Sequence, residues 1–428
     1  MKASGLEHSI PRLASLAELY GPAERTIQNH RYANLYEDLI RFSFSMSDIS
    51  DICFFSAPGR TELCGNHTDH NNGRVLAAAI NLDMAAAVRP RGDTVIKIRS
   101  AGYKMIELDV SDLSPKNTER GTSEALIRGI ASGLSSRFPG TMRRGFDAFI
   151  QSDVLAGSGL SSSAAFEVLM AAVLADIWGL SITPAQAARM GQDSENTYFG
   201  KPCGLMDQMS CACGSVAKID FSDPSEAAVE ILEFDISQSG YSLAIVSTGG
   251  SHADLTGEYA AIPSEMKSVA VALGRNTLGD VSVGQLIEKA GVLREACGDR
   301  AFLRALHFAH ENARVEYMAD AIRSNDFARV LEIANESGNS SWEYLQNMHA
   351  PGTPRAQSLE VALALTREFL GADGACRVHG GGFAGTIQAY VPDSRMAAYR
   401  TYMESVFGPN SVIPLSVRPY GVTRIDSI

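Results

Sequence analysis

Apolar and polar positions along this chain switch between helical and strand periods several times, and the switches outline its organisation. Residues 1–50 interleave Arg, Glu and Tyr with apolar positions, which predicts an amphipathic helical extension. From Cys53 onward short β-prone runs alternate with glycine turns, and Val95-Ile96-Lys97-Ile98-Arg99 has the period of a half-buried strand. The stretch from Phe166 to Trp178, stopped by Gly179, is apolar nearly all round and predicts a helix buried on several sides. A second helix is expected over 183–199.

Beyond residue 225 the pattern starts afresh. Leu243-Ala244-Ile245-Val246 predicts a buried strand, and helices follow at 258–273, 299–323 and 325–336. Leu359, Ala362, Leu363, Thr366 and Leu370 keep helical spacing up to Gly371, a C-cap residue, and Thr386–Val391 alternates as a strand. Strands and helices interleaved in this way predict an α+β fold with two domains, 51–225 and 226–428, behind the 1–50 extension.

Composition narrows the classes of function. The 428 residues carry 37 basic and 49 acidic side chains, a net charge of −12, which argues against nonspecific nucleic-acid binding. No apolar run has the ~18 residues of a membrane span, and the N-terminal stretch lacks a signal-peptide core. Seven cysteines, an odd number with no C-x-x-C pair, predict reduced thiols in a cytoplasmic protein; Cys211-x-Cys213 is too close for usual zinc spacing.

Four segments carry candidate chemistry. In Val154–Ala165, glycines and three serines feed directly into the apolar helix, an arrangement suited to cradling phosphate on free backbone N–H groups. It is not a P-loop, which needs a lysine, and Ser162 stands where a dinucleotide fingerprint needs a third glycine. An ordinary turn before a core helix remains the alternative. The run Ala57–Gly73 packs Asn66, His67, Thr68, Asp69, His70 and Asn71 side by side. That density of short donors and acceptors suits a polyhydroxylated ligand; a metal held by His67, Asp69 and His70, or a plain polar turn, are the alternatives. Gly204–Met209 places Asp207 at a helix start, as a catalyst or a cap, with Glu195 upstream. His379-Gly380-Gly381-Gly382-Phe383-Ala384-Gly385 precedes a strand and permits close backbone approach to a loop or ligand.

Taken together, the Pro-Gly-Arg segment at 58–60, the Gly-Leu-Ser-Ser-Ser loop at 159–163 and the Gly-Gly-Gly-Phe loop at 380–383 resemble the GHMP superfamily of small-molecule kinases. Within it, Gly59-Arg60 with Gly65-x-His67-Thr68-Asp69-x-Asn71, and Pro202–Gln208, are most similar to the galactokinase family. The resemblance implies a ribosomal-protein-like N-terminal domain, a ferredoxin-like C-terminal domain, and ATP-dependent phosphorylation of a sugar at its anomeric hydroxyl. It implies Asp207 and Arg60 as catalytic residues, and Gly157, Ser158, Gly159, Leu160, Ser161, Ser162 and Ser163 as the ATP-phosphate loop. Ser163 and Glu195 fall at Mg²⁺ positions, and Asn66, His67, Thr68, Asp69 and Tyr259 at sugar-binding positions, Tyr259 following the Ser251-His252 segment. The implied partners are a small sugar and ATP, with no nucleic acid and no membrane, in a monomer or small homo-oligomer.

The chain departs from the family pattern at three places. Asn66 stands for the usual Glu, His70 for the usual Tyr, and Asn347–Gly352 for a different stretch. Loss of the charge at 66 implies wider tolerance at the end of the sugar remote from C1, extending to an acidic sugar. Alternatives are a kinase for a related sugar such as galacturonate, and a catalytically silent sugar- and ATP-binding regulator.

Overall fold

The structure is a computed structural model that describes residues 9–21, 24–42, 51–155, 159–201, 203–223, 227–249, 255–352 and 355–426. Among the described residues thirteen strands form two sheets. They are β1 (Arg12–Leu13), β2 (Cys53–Cys64), β3 (Arg74–Pro90), β4 (Val95–Ser100), β5 (Ile106–Asp109), β6 (Phe146–Ser152), β7 (Val216–Asp220), β8 (Ala228–Leu232), β9 (Tyr241–Ser247), β10 (Ala375–His379), β11 (Thr386–Pro392), β12 (Val412–Leu415) and β13 (Thr423–Ile425).

The first sheet runs β1-β13-β2-β3-β6-β4-β5. The long strand β3 forks: Arg74–Ala78 pair with β7, while Met84–Pro90 pair with β6. Both faces of β2 and β3 are covered, and the two-residue period of the strand sorts their side chains. Phe55, Ala86 and Val88 join Val168, Leu169 and Ile130 in the main core, whereas Phe54, Ala85 and Ala87 face Tyr32, Leu35 and Leu39. Every residue of β2 is consequently buried.

The helix Ser162–Ile177 lies in the main core with side chains buried all round its axis, as its sequence predicts. In the N-terminal helix Arg25–Phe42, Tyr32, Leu35 and Leu39 recur at i, i+3 and i+7 and dock on the sheet. Asp83 fastens that attachment. Its buried carboxylate accepts from Arg31 at 2.6 Å and from Arg418 at 2.9 Å, and also from Ser56 and Tyr20. Residues of the N-terminal helix and of the C-terminal segment thus meet on one strand.

The second sheet, β10-β11-β9-β12, is antiparallel throughout, with Ile387 opposite Val246 and Ala389 opposite Ala244. In chain order its strands lie 2-3-1-4, the arrangement of a ferredoxin-like sheet. Helices Ser358–Leu370 and Asp393–Phe407 cover one face. The predicted stripe of Leu359, Ala362, Leu363, Thr366 and Leu370 is buried throughout. Helices Asp299–Arg323 and Phe327–Ser340 supply side chains to the other face.

Strand pairing ties the expected domains and the N-terminal segment together. β8 pairs with β7 across the expected 225/226 boundary, and β13 returns from the far end of the chain to pair with β2. Among the described residues of 1–50, β1 pairs with β13 and Arg25–Phe42 packs on the sheet. The physical reason is the same in both cases, since an unpaired strand edge or uncovered apolar sheet face is filled by whatever segment reaches it.

Candidate active site

A cavity of about 280 Å³ opens where β2, the 66–70 turn, the start of helix Ser162–Ile177, the 195–208 segment and Gly380-Gly381 converge. At its reactive end, Arg60 and Asp207 form a two-pronged ion pair. Arg60 Nε donates to Asp207 Oδ1 and Nη2 to Oδ2, each at 2.8 Å. Burial alone would weaken the Arg60 cation, but the Asp207 carboxylate holds its pKa above the ordinary value. The Arg60 guanidinium also donates to the Gly159 carbonyl, and its backbone N–H donates to the Leu160 carbonyl at 3.1 Å. The serine loop is therefore stitched to β2 from both sides.

Ser161 adopts a left-handed φ of 61° and turns its hydroxyl onto Asp207. Its side chain makes no cap bond to the helix it precedes, which leaves the first-turn N–H groups for an anion. Ser163 is the second residue of that helix and lines the cavity. The Leu160 side chain is fully buried in an apolar cluster with Val154 and Ile80. Gly157 and Ser158 lie outside the described residues.

Glu195 opens a π-helical turn, Glu195–Phe199, and lines the same cavity with Ser163 and Asp207. Gln208 Nε2 donates to Glu195 at 3.1 Å and to Glu167 at 2.9 Å, and Lys201 Nζ lies 3.4 Å from Glu195. Burial first, and the neighbouring Glu195 second, push the Glu167 pKa up to about 9, so Glu167 is protonated at neutral pH. Among the described residues no group of three His, Cys, Asp or Glu is arranged to hold a metal by itself. A hydroxyl and one carboxylate still match Mg²⁺, which takes few protein oxygens and completes its shell with water and phosphate.

The remaining wall is built by the polar turn after β2. His67, in a left-handed conformation (φ 60°), donates from Nε2 to the Gly381 carbonyl at 2.9 Å. Since a carbonyl only accepts, Nδ1 is left as an acceptor. Burial pushes the His67 pKa down to about 4, so the ring is neutral. Asp69 lines the cavity, and its Oδ2 would stand 2.1 Å from a Cβ built on Gly204.

Three expected sugar residues fall differently from their neighbours. Thr68 is fully buried and donates to the Gly65 and Arg74 carbonyls, so it braces the turn instead of lining the cavity. A short hydroxyl side chain next to free backbone carbonyls readily takes that role. Tyr259 donates to the Gly382 carbonyl at 2.8 Å and packs on Phe383, which fixes the glycine loop behind the cavity. Ser251 and His252 lie outside the described residues. Asn66 is on the wall, but its amide is committed: Nδ2 donates to Gly380 O at 2.8 Å and to Glu62 at 3.1 Å, while Oδ1 accepts from Asn347 at 3.0 Å.

Glu62 itself is a wall residue that motif reasoning missed. It lies two positions after Arg60 on the same strand, and the two-residue period places it on the same face. Arg377 donates to its carboxylate and, at 2.8 Å, to its backbone carbonyl. Burial holds the carboxyl pKa above its ordinary value, and Arg377 with its hydrogen bond offsets only part of that rise. All its side-chain partners among the described residues are donors, which suits the acceptor-only ionised form. A carboxyl group absent from position 66 is thus present at position 62, one hydrogen bond away.

Comparison with known proteins agrees with this geometry. The model of the GHMP kinase N-terminal domain matches residues 125–215, and the galactokinase galactose-binding signature matches residues 43–90. The galactokinase of Actinobacillus pleuropneumoniae serotype 5b is 32% identical over 345 residues, covering 80% of this chain and 86% of that relative. The galactokinase of Streptomyces coelicolor is 33% identical over 357 residues, covering 82% and 88%. Among solved structures, Lactococcus lactis galactokinase complexed with galactose superposes with a TM-score of 0.78 at 22% identity, over 92% of this chain and 99% of that one. Methanococcus jannaschii mevalonate kinase gives 0.61 at 12% identity, over 86% and 99%. With relatives this similar over four-fifths of its length, the chain belongs to the galactokinase family of GHMP kinases.

Proposed function

We propose that this protein transfers the γ-phosphoryl group of ATP to the anomeric hydroxyl of galactose. The observation that carries the proposal is the Arg60–Asp207 pair, set in a cavity shared by the helix start at Ser163, Glu195 and a wall of short polar side chains. A carboxylate fixed by two parallel bonds from a guanidinium is suited to orient one hydroxyl and receive its proton. The adjacent cation favours the charge that develops on the attacking oxygen.

In this mechanism the C1 oxygen forms a bond to the γ-phosphorus, the bond to the β–γ bridging oxygen breaks, and ADP leaves. The hydroxyl proton passes to Asp207. Ser161 and Arg60 keep that carboxylate in position, and the free N–H groups at the start of helix Ser162–Ile177 hold phosphate oxygens. Ser163 and Glu195 would hold Mg²⁺, which when bound neutralises charge on the transferring phosphates. Lys201, at the rim beside Glu195, adds a cation that the serine loop itself lacks. Positioning and electrostatics supply most of the acceleration. We further infer a cytoplasmic setting, where ATP is available and the seven cysteines, none of them paired, stay reduced.

The test is a turnover assay with galactose and Mg·ATP on the wild type and on Asp207→Asn. The amide cannot accept the proton, so kcat should fall by about 10²–10⁴ while the fold is kept. Near-wild-type turnover in a folded Asp207→Asn removes this residue from the mechanism.

A further inference from the structure

We infer that Glu62 is the residue that selects the sugar at the ring edge opposite C1, by accepting a hydrogen bond from one hydroxyl there. The inference rests on the sugar-kinase reading and adds to it a residue from outside the polar turn.

Asn66 has no N–H left for the sugar. Both hydrogens of its Nδ2 are spent, one on Gly380 O and one shared between the two oxygens of Glu62 at 3.1 and 3.3 Å. The network fixes the orientation of the amide, because its nitrogen faces acceptors and its oxygen faces the Asn347 amide. Asn66 is therefore a positioning residue that aims Glu62.

Glu62 does have capacity. Its Oε1 takes Arg377 and a share of Asn66, whereas the partner of Oε2 is the longer share of Asn66. An ionised carboxylate has about four acceptor sites, so a hydroxyl donor can be added. The distance is also right. Alternate residues of a strand are roughly 6.5–7 Å apart, about the width of a pyranose ring with its hydroxyls. With the reacting hydroxyl at Arg60 and Asp207, the opposite edge of the ring falls beside Glu62.

Galactose and its 3-, 4- and 6-deoxy analogues should be compared as substrates for the wild type, Glu62→Gln and Glu62→Asp. The wild type is expected to penalise one analogue by about ten- to a hundredfold in kcat/KM, as for a hydrogen bond to a charged group. In Glu62→Gln, turnover of galactose falls by a similar factor but that of the same analogue does not, so their ratio collapses toward one. Glu62→Asp keeps the charge and the Arg377 pair but retracts the carboxylate by one methylene, and should shrink the ratio in part. It carries the test if Glu62→Gln does not fold. Ratios unchanged in the folded variants overturn the inference alone. A wild type that does not phosphorylate galactose overturns it together with the proposed function.

Discussion

Gly204→Ala offers a perturbation whose size can be worked from the coordinates. A methyl group built on Gly204 would stand 2.1 Å from Asp69 Oδ2 and 3.1 Å from its Cγ. Carbon and oxygen approach no closer than roughly 3.3 Å in ordinary packing, so the carboxylate must retreat by about 1 Å. The obstacle is the end of a side chain and not backbone, so the fold should yield there without unfolding. A misplacement of about 1 Å in a positioned group costs on the order of 10²-fold. We expect kcat/KM for galactose to fall by about that factor, with KM for ATP and the thermal midpoint unchanged. The Gly204→Ala, Asp69→Ala double variant should be no worse than Asp69→Ala alone, since both act through one carboxylate. Wild-type galactose kinetics in folded Gly204→Ala, or full additivity in the double variant, would refute the role given to Asp69.

Ser163→Ala and Glu195→Gln should each raise the Mg²⁺ concentration needed for half-maximal turnover, because each removes an oxygen from a hard cation; magnesium titrations unaltered in both would sink that assignment. Asp83→Asn leaves two buried guanidinium groups without their carboxylate, so unfolding free energy should drop by about 3–5 kcal/mol, and a loss below 1 kcal/mol in urea titration would contradict the latch. Stability should also decline in mild acid. The folded state holds His67 near pKa 4 against an ordinary 6.5, so the unfolded chain takes up the proton first. Stability from this group is complete above pH 6.5 and lost as pH falls toward 4, by up to about 3 kcal/mol. His67→Asn should flatten that part of a thermal-midpoint-against-pH curve, and an unchanged slope would exclude His67 as its source.

Local periodicity made much of the fold legible. Val95–Arg99, Leu243–Val246 and Thr386–Val391 all lie in strands, and helix 299–323 has the expected bounds. What the pattern could not show was partnership at long range. The two-residue strand Arg12–Leu13 and the three-residue strand Thr423–Ile425 are too short to carry a period, yet together they close one edge of the first sheet. In the site, Arg60 and Asp207 were legible because each lies in a distinctive motif. Thr68 was misplaced for the opposite reason: sequence shows that a hydroxyl is near a site, not whether backbone carbonyls claim it first.

The hydrogen bond between positions 62 and 66 shows what a single-site reading of specificity leaves out. Asn66 removes a charge from the polar turn, and taken by itself that change opens the cavity to an acidic sugar. Yet the partners that settle its function, Gly380, Asn347 and, through Glu62, Arg377, lie some three hundred residues further along the chain. They bind the amide so fully that it serves as a bracket. The carboxylate it holds lies on β2, on the face set by the strand period. Among the described residues, Glu62, Asp69, Glu195 and Asp207 line the cavity, and Arg60 and Lys201 are the Arg and Lys side chains on its wall. A sugar carboxylate would enter against this surplus, whereas a neutral hexose offers hydroxyl donors to it. On the role proposed for Glu62, specificity at this site is a property of the assembled wall, in which a buried guanidinium and an amide fix the direction of one carboxylate.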